Sequence, residues 1–156
     1  MTRTALITGT STGIGRATAL RFQDEGWNVV ATMRSTNDAG DLAERSNVLV
    51  SRLDVTDSES ITSAFAEARE RFGSIDVLVN NAGFGAYGPL EVTGMDVVRR
   101  QFDTNVIGLL EVTKAALPIM REQGRGVIIN ISSVGGGMTF PLGSLYHGSK
   151  FAVEGI

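Results

Sequence analysis

Tyr146 and Lys150 stand four residues apart near the end of a 156-residue chain. At helical spacing the two side chains share one face. A free tyrosine ionises at a pKa of about 10, too high for efficient proton transfer near neutrality. A neighbouring ammonium favours the phenolate and lowers that value. The sequence holds only two tyrosines and two lysines, so an accidental Tyr-x-x-x-Lys is disfavoured. Taken alone, the pair also suits a surface contact with no chemistry.

A second grouping lies near the N-terminus, where Thr8-Gly9-Thr10-Ser11-Thr12-Gly13-Ile14-Gly15 joins a short apolar run to a segment of helical spacing. In a strand-turn-helix setting, Gly9 permits the tight turn and Gly13 lets backbone approach a pyrophosphate. Gly15 allows the helix to pack closely on the strand. Ser11, Thr12 and Ile14 complete the turn, and the helix start presents free N–H groups to phosphate. With 19 glycines in the chain the bare spacing carries little weight, and a turn without function is the alternative; the setting supports the functional reading. Gly83-Phe84-Gly85-Ala86-Tyr87-Gly88 matches the dinucleotide pattern literally, but Pro89 follows and no helix opens at once. It reads as a flexible loop at a pocket rim. No G-x-x-x-x-G-K-[ST] run is present, which disfavours a P-loop nucleotidase.

The elements that must position these groups alternate. Residues 5–8, 29–33, 48–54, 75–79 and 127–131 read as strands. Between them, 14–25 reads as a helix stopped by Gly26, and 39–45 as a weak helical stretch. Asp57 or Ser58 caps a helix over 61–72 that Gly73 ends. Residues 95–123 form a long helix that Pro118 kinks or closes, and 144–156 begin another. Strands apolar on both faces need helices on both sides of a parallel sheet. The expected fold is a doubly wound α/β sheet of Rossmann type, order 3-2-1-4-5, in one domain over 1–156. Its ligand belongs at the switch point between the first and fourth strands.

Composition narrows the function. A net charge of −3 without a Lys/Arg cluster gives no electrostatic case for nucleic acid or an anionic membrane. There are no cysteines and one histidine, His147, so neither a disulfide framework nor a cysteine- or histidine-rich metal site is expected. The first apolar run is broken by Gly9, too early for a signal segment or a membrane span, and a cytoplasmic protein is expected.

Taken in order, residues 8–15, Asn80-Asn81-Ala82-Gly83 and Tyr146-His147-Gly148-Ser149-Lys150 resemble the short-chain dehydrogenase/reductase family, in its single-domain branch with T-G-x-x-x-G-x-G spacing. The resemblance implies an NAD(P)-dependent oxidoreductase moving a hydride between the cofactor and a ketone, aldehyde or secondary alcohol. It implies Tyr146 as general acid/base, with Lys150 lowering its pKa and holding the nicotinamide ribose. Ser133, thirteen residues before Tyr146, resembles the catalytic serine whose hydroxyl stabilises the carbonyl oxygen, with Ser132 as its structural twin. Asn105 matches the family's helix asparagine, associated with a water in the proton relay; the alternative is an exposed asparagine without a role. His147 falls at a variable motif position and is assigned none.

Family members that prefer NAD end the second strand with an acidic residue on the ribose 2′-OH. Here Met33 holds that place and Arg34 follows, which suits a 2′-phosphate, so NADP is expected over NAD. Arg16 is either a second cation at that site or a solvated helix residue. Asp54, followed by Val55, resembles the acidic residue that bonds the adenine amino group. Asn81, Ala82 and Gly83 resemble the segment lining the adenine-ribose side. Phe22 and Trp27 read as packing residues.

Family members continue beyond the Tyr-bearing helix through a sixth and usually a seventh strand and a substrate lid. The chain is therefore expected to be a C-terminally truncated piece of a longer enzyme, lacking the last strands and poor in turnover alone. Residues 127–131 would then form an exposed apolar edge. The expected partner is a small-molecule carbonyl or alcohol substrate, and the longer parent is expected to be a homo-oligomer. The competing function is a nonenzymatic dinucleotide-binding module, or an inactive fragment, on the same fold. An epimerase or dehydratase with retained NAD is disfavoured by the glycine spacing.

Overall fold

The apolar runs become strands, and the central ones, Thr4–Thr8 and Val77–Asn80, are shielded from water on both faces, as their lack of alternation requires. A computed structural model describes residues 2–156. Its strands are β1 (Thr4–Thr8), β2 (Asn28–Met33), β3 (Val48–Arg52), β4 (Val77–Asn80) and β5 (Val127–Asn130). All pair in parallel in the order β3-β2-β1-β4-β5, the order expected from right-handed crossovers. Every residue of β1 is buried, since helices cover both of its faces.

The helices are α1 (Gly13–Asp24), α2 (Ser58–Phe72), α3 (Met95–Phe102), α4 (Gly108–Gln123) and α5 (Ser144–Glu154). One apolar layer packs Leu6, Val30 and Leu78 of the sheet against Ile61 and Phe65 of α2 and Val112 and Ala116 of α4. The opposite layer packs Ile7, Val29 and Ala31 against Ala19 and Leu20 of α1. Phe22 and Trp27 meet edge to face at 5.1 Å between centroids, so both are packing residues.

Local chemistry sets the helix ends. Asp57 caps α2 by accepting from the N–H groups of Glu59 and Ser60, and Gly73, at φ 79°, stops it. The weak helical stretch is a 3-10 segment, Thr36–Glu44, kinked at Gly40. The long helix differs from expectation. Pro118 lies inside α4 without ending it, and the distortion falls earlier. A wide π turn, Asp103–Ile107, joins α3 to α4, with Gly108 N–H donating to Asp103 O. Beyond it Gly108 lies so close to the segment after β3 that a Cβ would meet Val55 Cγ2 at 2.7 Å. The π turn keeps the polar residues Gln101 and Asn105 buried on the side facing the loop after β4. On β5, Val127 and Ile129 are exposed, the apolar edge that was expected.

Candidate active site

At the carboxyl ends of the strands, where the crossovers from β1 and β4 diverge, lies a cleft of about 900 Å³. Gly9, Ser11, Thr12, Gly13 and Ile14 form one wall. Thr12 is the N-cap residue of α1 but makes no side-chain cap, and no acidic residue stands in the first turn. The helix therefore presents uncapped N–H groups to the cleft, which is the condition for holding an anion. Gly13, at φ +58°, would need a left-handed conformation from any replacement. Gly15 does not line the cleft. A Cβ there would strike Gly9 O and Asn81 Nδ2, so it packs the helix against the turn from behind.

Asn81 braces that turn. Its Nδ2 donates to Thr8 O at 2.9 Å and to Gly9 O at 3.1 Å. The backbone N–H groups of Asn81 and Ala82 both donate to Thr8 Oγ1 at 3.0 Å. Asn81, Ala82 and Gly83 thus line the cleft while tying the end of β4 to the glycine turn. Asn80 is buried instead, donating to Thr113 Oγ1 and Asn130 Oδ1.

Arg34, Asp54 and Val55 line the far end. Arg34 is exposed just after β2, while Asp54 accepts from the Thr56 N–H and hydroxyl through one carboxylate oxygen. Arg16 is not part of this wall: its guanidinium donates to Ala39 O at 2.9 Å and pairs with Asp41. Neither sequence alternative for Arg16 describes it, because the fold brings the 3-10 segment over α1 and gives the cation a protein partner.

Tyr146 and Lys150 close the other end from α5. The Tyr146 ring is slotted between two glycine loops. A Cβ on Gly85 would meet its Cδ2 at 3.2 Å, and one on Gly135 its Cε1 at 3.2 Å. The Tyr87 ring packs against it at 5.4 Å between centroids. Lys150 is buried, with Nζ 5.9 Å from the centre of the Tyr146 ring and donating to Ile131 O at 2.7 Å. Burial pushes its ammonium below the usual lysine range.

The serine pair divides. Ser132 lines the cleft, although its Oγ is buried without a hydrogen-bond partner among the described residues. Ser133 caps the next 3-10 turn, its Oγ accepting from Gly135 N–H at 3.1 Å. Asn105 is buried, not exposed, and its amide makes three hydrogen bonds. Oδ1 accepts from Phe84 N–H at 3.0 Å, and Nδ2 donates to Phe84 O at 2.8 Å and to Ser149 Oγ at 3.0 Å.

The loop expected to be flexible is pinned. Gln101, one helical turn before Asn105, accepts from Ala86 N–H at 2.7 Å and donates to Phe84 O at 2.6 Å. Two buried amides on one helix face thus hold the loop that walls Tyr146. Sequence reasoning missed Gln101, Tyr87 and His147. The four-residue spacing of Gln101 and Asn105 was the available signal for the first.

Among the described residues no group of three or more His, Cys, Asp or Glu side chains could hold a metal ion, and no helix is long and apolar enough to cross a membrane. A family model described as short chain dehydrogenase matches residues 3–156. An uncharacterized oxidoreductase of Schizosaccharomyces pombe is 52% identical over 124 residues, covering 80% of this chain and 52% of its own. The 17-beta-hydroxysteroid dehydrogenase type 1 of Homo sapiens is 42% identical over 170 residues, covering 100% of this chain and 51% of its own. ElxO, solved with NADP bound, superposes with a TM-score of 0.93 at 35% identity, over 99% of this chain and 65% of that one. The chain spans about half the length of the curated relatives it matches.

Proposed function

This chain belongs to the short-chain dehydrogenase family, and we propose that it carries the nucleotide-binding and catalytic part of a cytoplasmic NADP(H)-dependent oxidoreductase interconverting a small-molecule ketone or aldehyde and its alcohol. The observation that carries this reading is one cleft with the uncapped glycine turn at one wall and Tyr146 beside buried Lys150 at another. The donor chemistry fits a dinucleotide. Free N–H groups at the start of α1 would hold the pyrophosphate, Asp54 the adenine amino group, and Lys150 the nicotinamide ribose.

NADPH supplies the hydride when bound. Tyr146 gives its hydroxyl proton to the carbonyl oxygen, and takes it back in the oxidative direction. The Lys150 ammonium favours the phenolate and so lowers the energy of that transfer. One of its three N–H donors is spent on Ile131 O, which fixes Nζ and leaves two for the ribose and the phenol side. We assign the substrate-oxygen contact to Ser133, which is next to Ser132 but not itself among the cleft-lining residues: its Oγ accepts from Gly135 N–H, which leaves its own O–H uncommitted. Asn105 acts by position. Both amide hydrogens are spent, on Phe84 O and Ser149 Oγ, so the side chain locks the loop beside Tyr146 to α5.

NADP is preferred over NAD because Met33, not an acidic residue, ends β2, and the Arg34 that follows is exposed at the cleft, where a cation suits a 2′-phosphate. The bound NADP of ElxO supports the same choice. Fluorescence titration with NADPH and NADH, on wild type and Arg34→Ala, tests the nucleotide site. The expected result is NADPH preference, reduced about 10- to 100-fold by the substitution, as for loss of a charge-assisted bond. Binding of neither nucleotide would defeat the reading. Oxidation of NADPH with a ketone panel then separates an enzyme from a binding module.

A further inference from the structure

His147 follows Tyr146 on α5 and is buried at 4% exposure. Its ring bridges two points of the loop between Ser133 and Tyr146. Nδ1 lies 3.2 Å from Gly135 O, and Nε2 lies 3.0 Å from Phe140 N. A backbone carbonyl only accepts and a backbone N–H only donates. The pair therefore requires one tautomer, with the proton on Nδ1 and Nε2 bare. The space is cut to the ring. A Cβ at Gly135 would meet Nδ1 at 2.6 Å, and one at Gly143 would strike Nε2.

What this bridge holds is the wall of the Tyr146 slot. Gly135 abuts the Tyr146 ring, and its N–H is the donor to Ser133 Oγ. Phe140 leads into Leu142, which sits at φ +66° and is the only non-glycine residue at positive φ among those described. Such a conformation in a branched side chain persists only where neighbours over-determine it. Two contacts do so here: the His147–Phe140 bond, and Gly88 N–H donating to Leu142 O at 2.9 Å from the opposite loop.

We propose that His147, as a neutral Nδ1–H imidazole, is a positioning residue that staples the 135–143 loop and so sets Ser133 and the Tyr146 ring for proton transfer. Its catalytic consequence rests on the oxidoreductase reading above. His147 touches neither substrate nor cofactor in this scheme; it acts through Gly135 and Phe140.

Three measurements on the chain test it. Long-range 1H–15N spectra of the imidazole should show Nδ1 protonated and Nε2 unprotonated. Exchange of the Phe140 amide should be at least about tenfold faster in His147→Phe, which keeps a ring but no partners, and slow again in His147→Gln, whose amide keeps one donor and one acceptor. In turnover, His147→Phe should lower kcat about tenfold with NADPH affinity unchanged, and His147→Gln should restore most of it. A proton on Nε2, or equal Phe140 exchange in wild type and His147→Phe, overturns the staple. An active wild type with an equally active Phe variant overturns its catalytic role. A wild type that binds no NADPH and reduces no ketone defeats the functional reading instead, while the spectra and exchange rates still decide the staple.

Discussion

Lys150 donates from Nζ to the carbonyl oxygen of Ile131 at 2.7 Å, tying the helix that carries Tyr146 to the residue just after β5. This one bond fixes where the buried cation stands relative to the phenol. It also gives the ammonium only partial compensation for the water it has lost, since a charge taken from water needs more than one partner.

Lys150→Met therefore separates stability from activity. Burial lowers the lysine pKa in the fold, so the fold binds that proton less tightly than the unfolded chain does. The group's contribution to stability consequently rises as pH climbs from the folded value to the ordinary lysine value, and below that window the charge opposes folding. Methionine removes the charge and keeps the length. Thermal unfolding at neutral pH should give an equal or higher Tm, while kcat falls about 100-fold or more. A clearly lower Tm would show that the Ile131 bond outweighs the desolvation.

Tyr146→Phe should leave the slot between Gly85 and Gly135 filled, because the ring contacts do not involve the hydroxyl. The expected outcome is an unchanged NADPH dissociation constant and a kcat lower by about 100- to 10,000-fold, the range for a removed general acid. Retained turnover at the wild-type rate would remove Tyr146 from the proton transfer.

Gln101→Leu removes the acceptor for Ala86 N–H and one of the two donors to Phe84 O. Leaving buried backbone groups unpaired costs about 1–3 kcal/mol. Denaturant unfolding should show that loss. Amide exchange at Ala86 should accelerate, and turnover should fall with the loosened wall of the Tyr146 slot. No change in either rate would mean that Asn105 alone holds the loop.

Acid sensitivity should trace to Asp76, which is buried just before β4. Burial raises its pKa, but the Thr4 N–H, Arg125 and Ser74 together outweigh that and hold the carboxyl below the usual aspartate range. A depressed folded value contributes stability above the ordinary aspartate pKa and loses it as pH falls through the folded value. Asp76→Asn should cost about 1.5–3 kcal/mol near neutrality, as for hydrogen bonds to a charged group. The gap in Tm between the two proteins should close as pH drops below the ordinary aspartate range. A gap that persists in strong acid would point to packing instead.

The strand runs, their parallel order and the placement of the Gly9–Ile14 turn, Asn81, Tyr146 and Lys150 around one cleft were legible in the order of residues. The runs and the turn depend on local backbone geometry or spacing within one element, which sequence displays directly, and the order follows from strand-helix alternation with right-handed crossovers. The π turn at Asp103–Ile107, the engagement of Arg16 by Ala39 and Asp41, and the division of labour between Ser132 and Ser133 were not legible. Each is settled by what a different segment brings alongside. Gln101 and His147 are the sharpest cases. A polar residue at helical spacing looks the same whether it faces water or backbone, and only the packing of α3 and α5 against two loops decides which. By itself the sequence determined a doubly wound sheet with a glycine turn at one end of a cleft and a tyrosine-lysine pair at the other. The tertiary structure alone decided which buried side chains hold the walls around that tyrosine, because unpaired backbone groups of distant segments must find partners wherever the fold has excluded water.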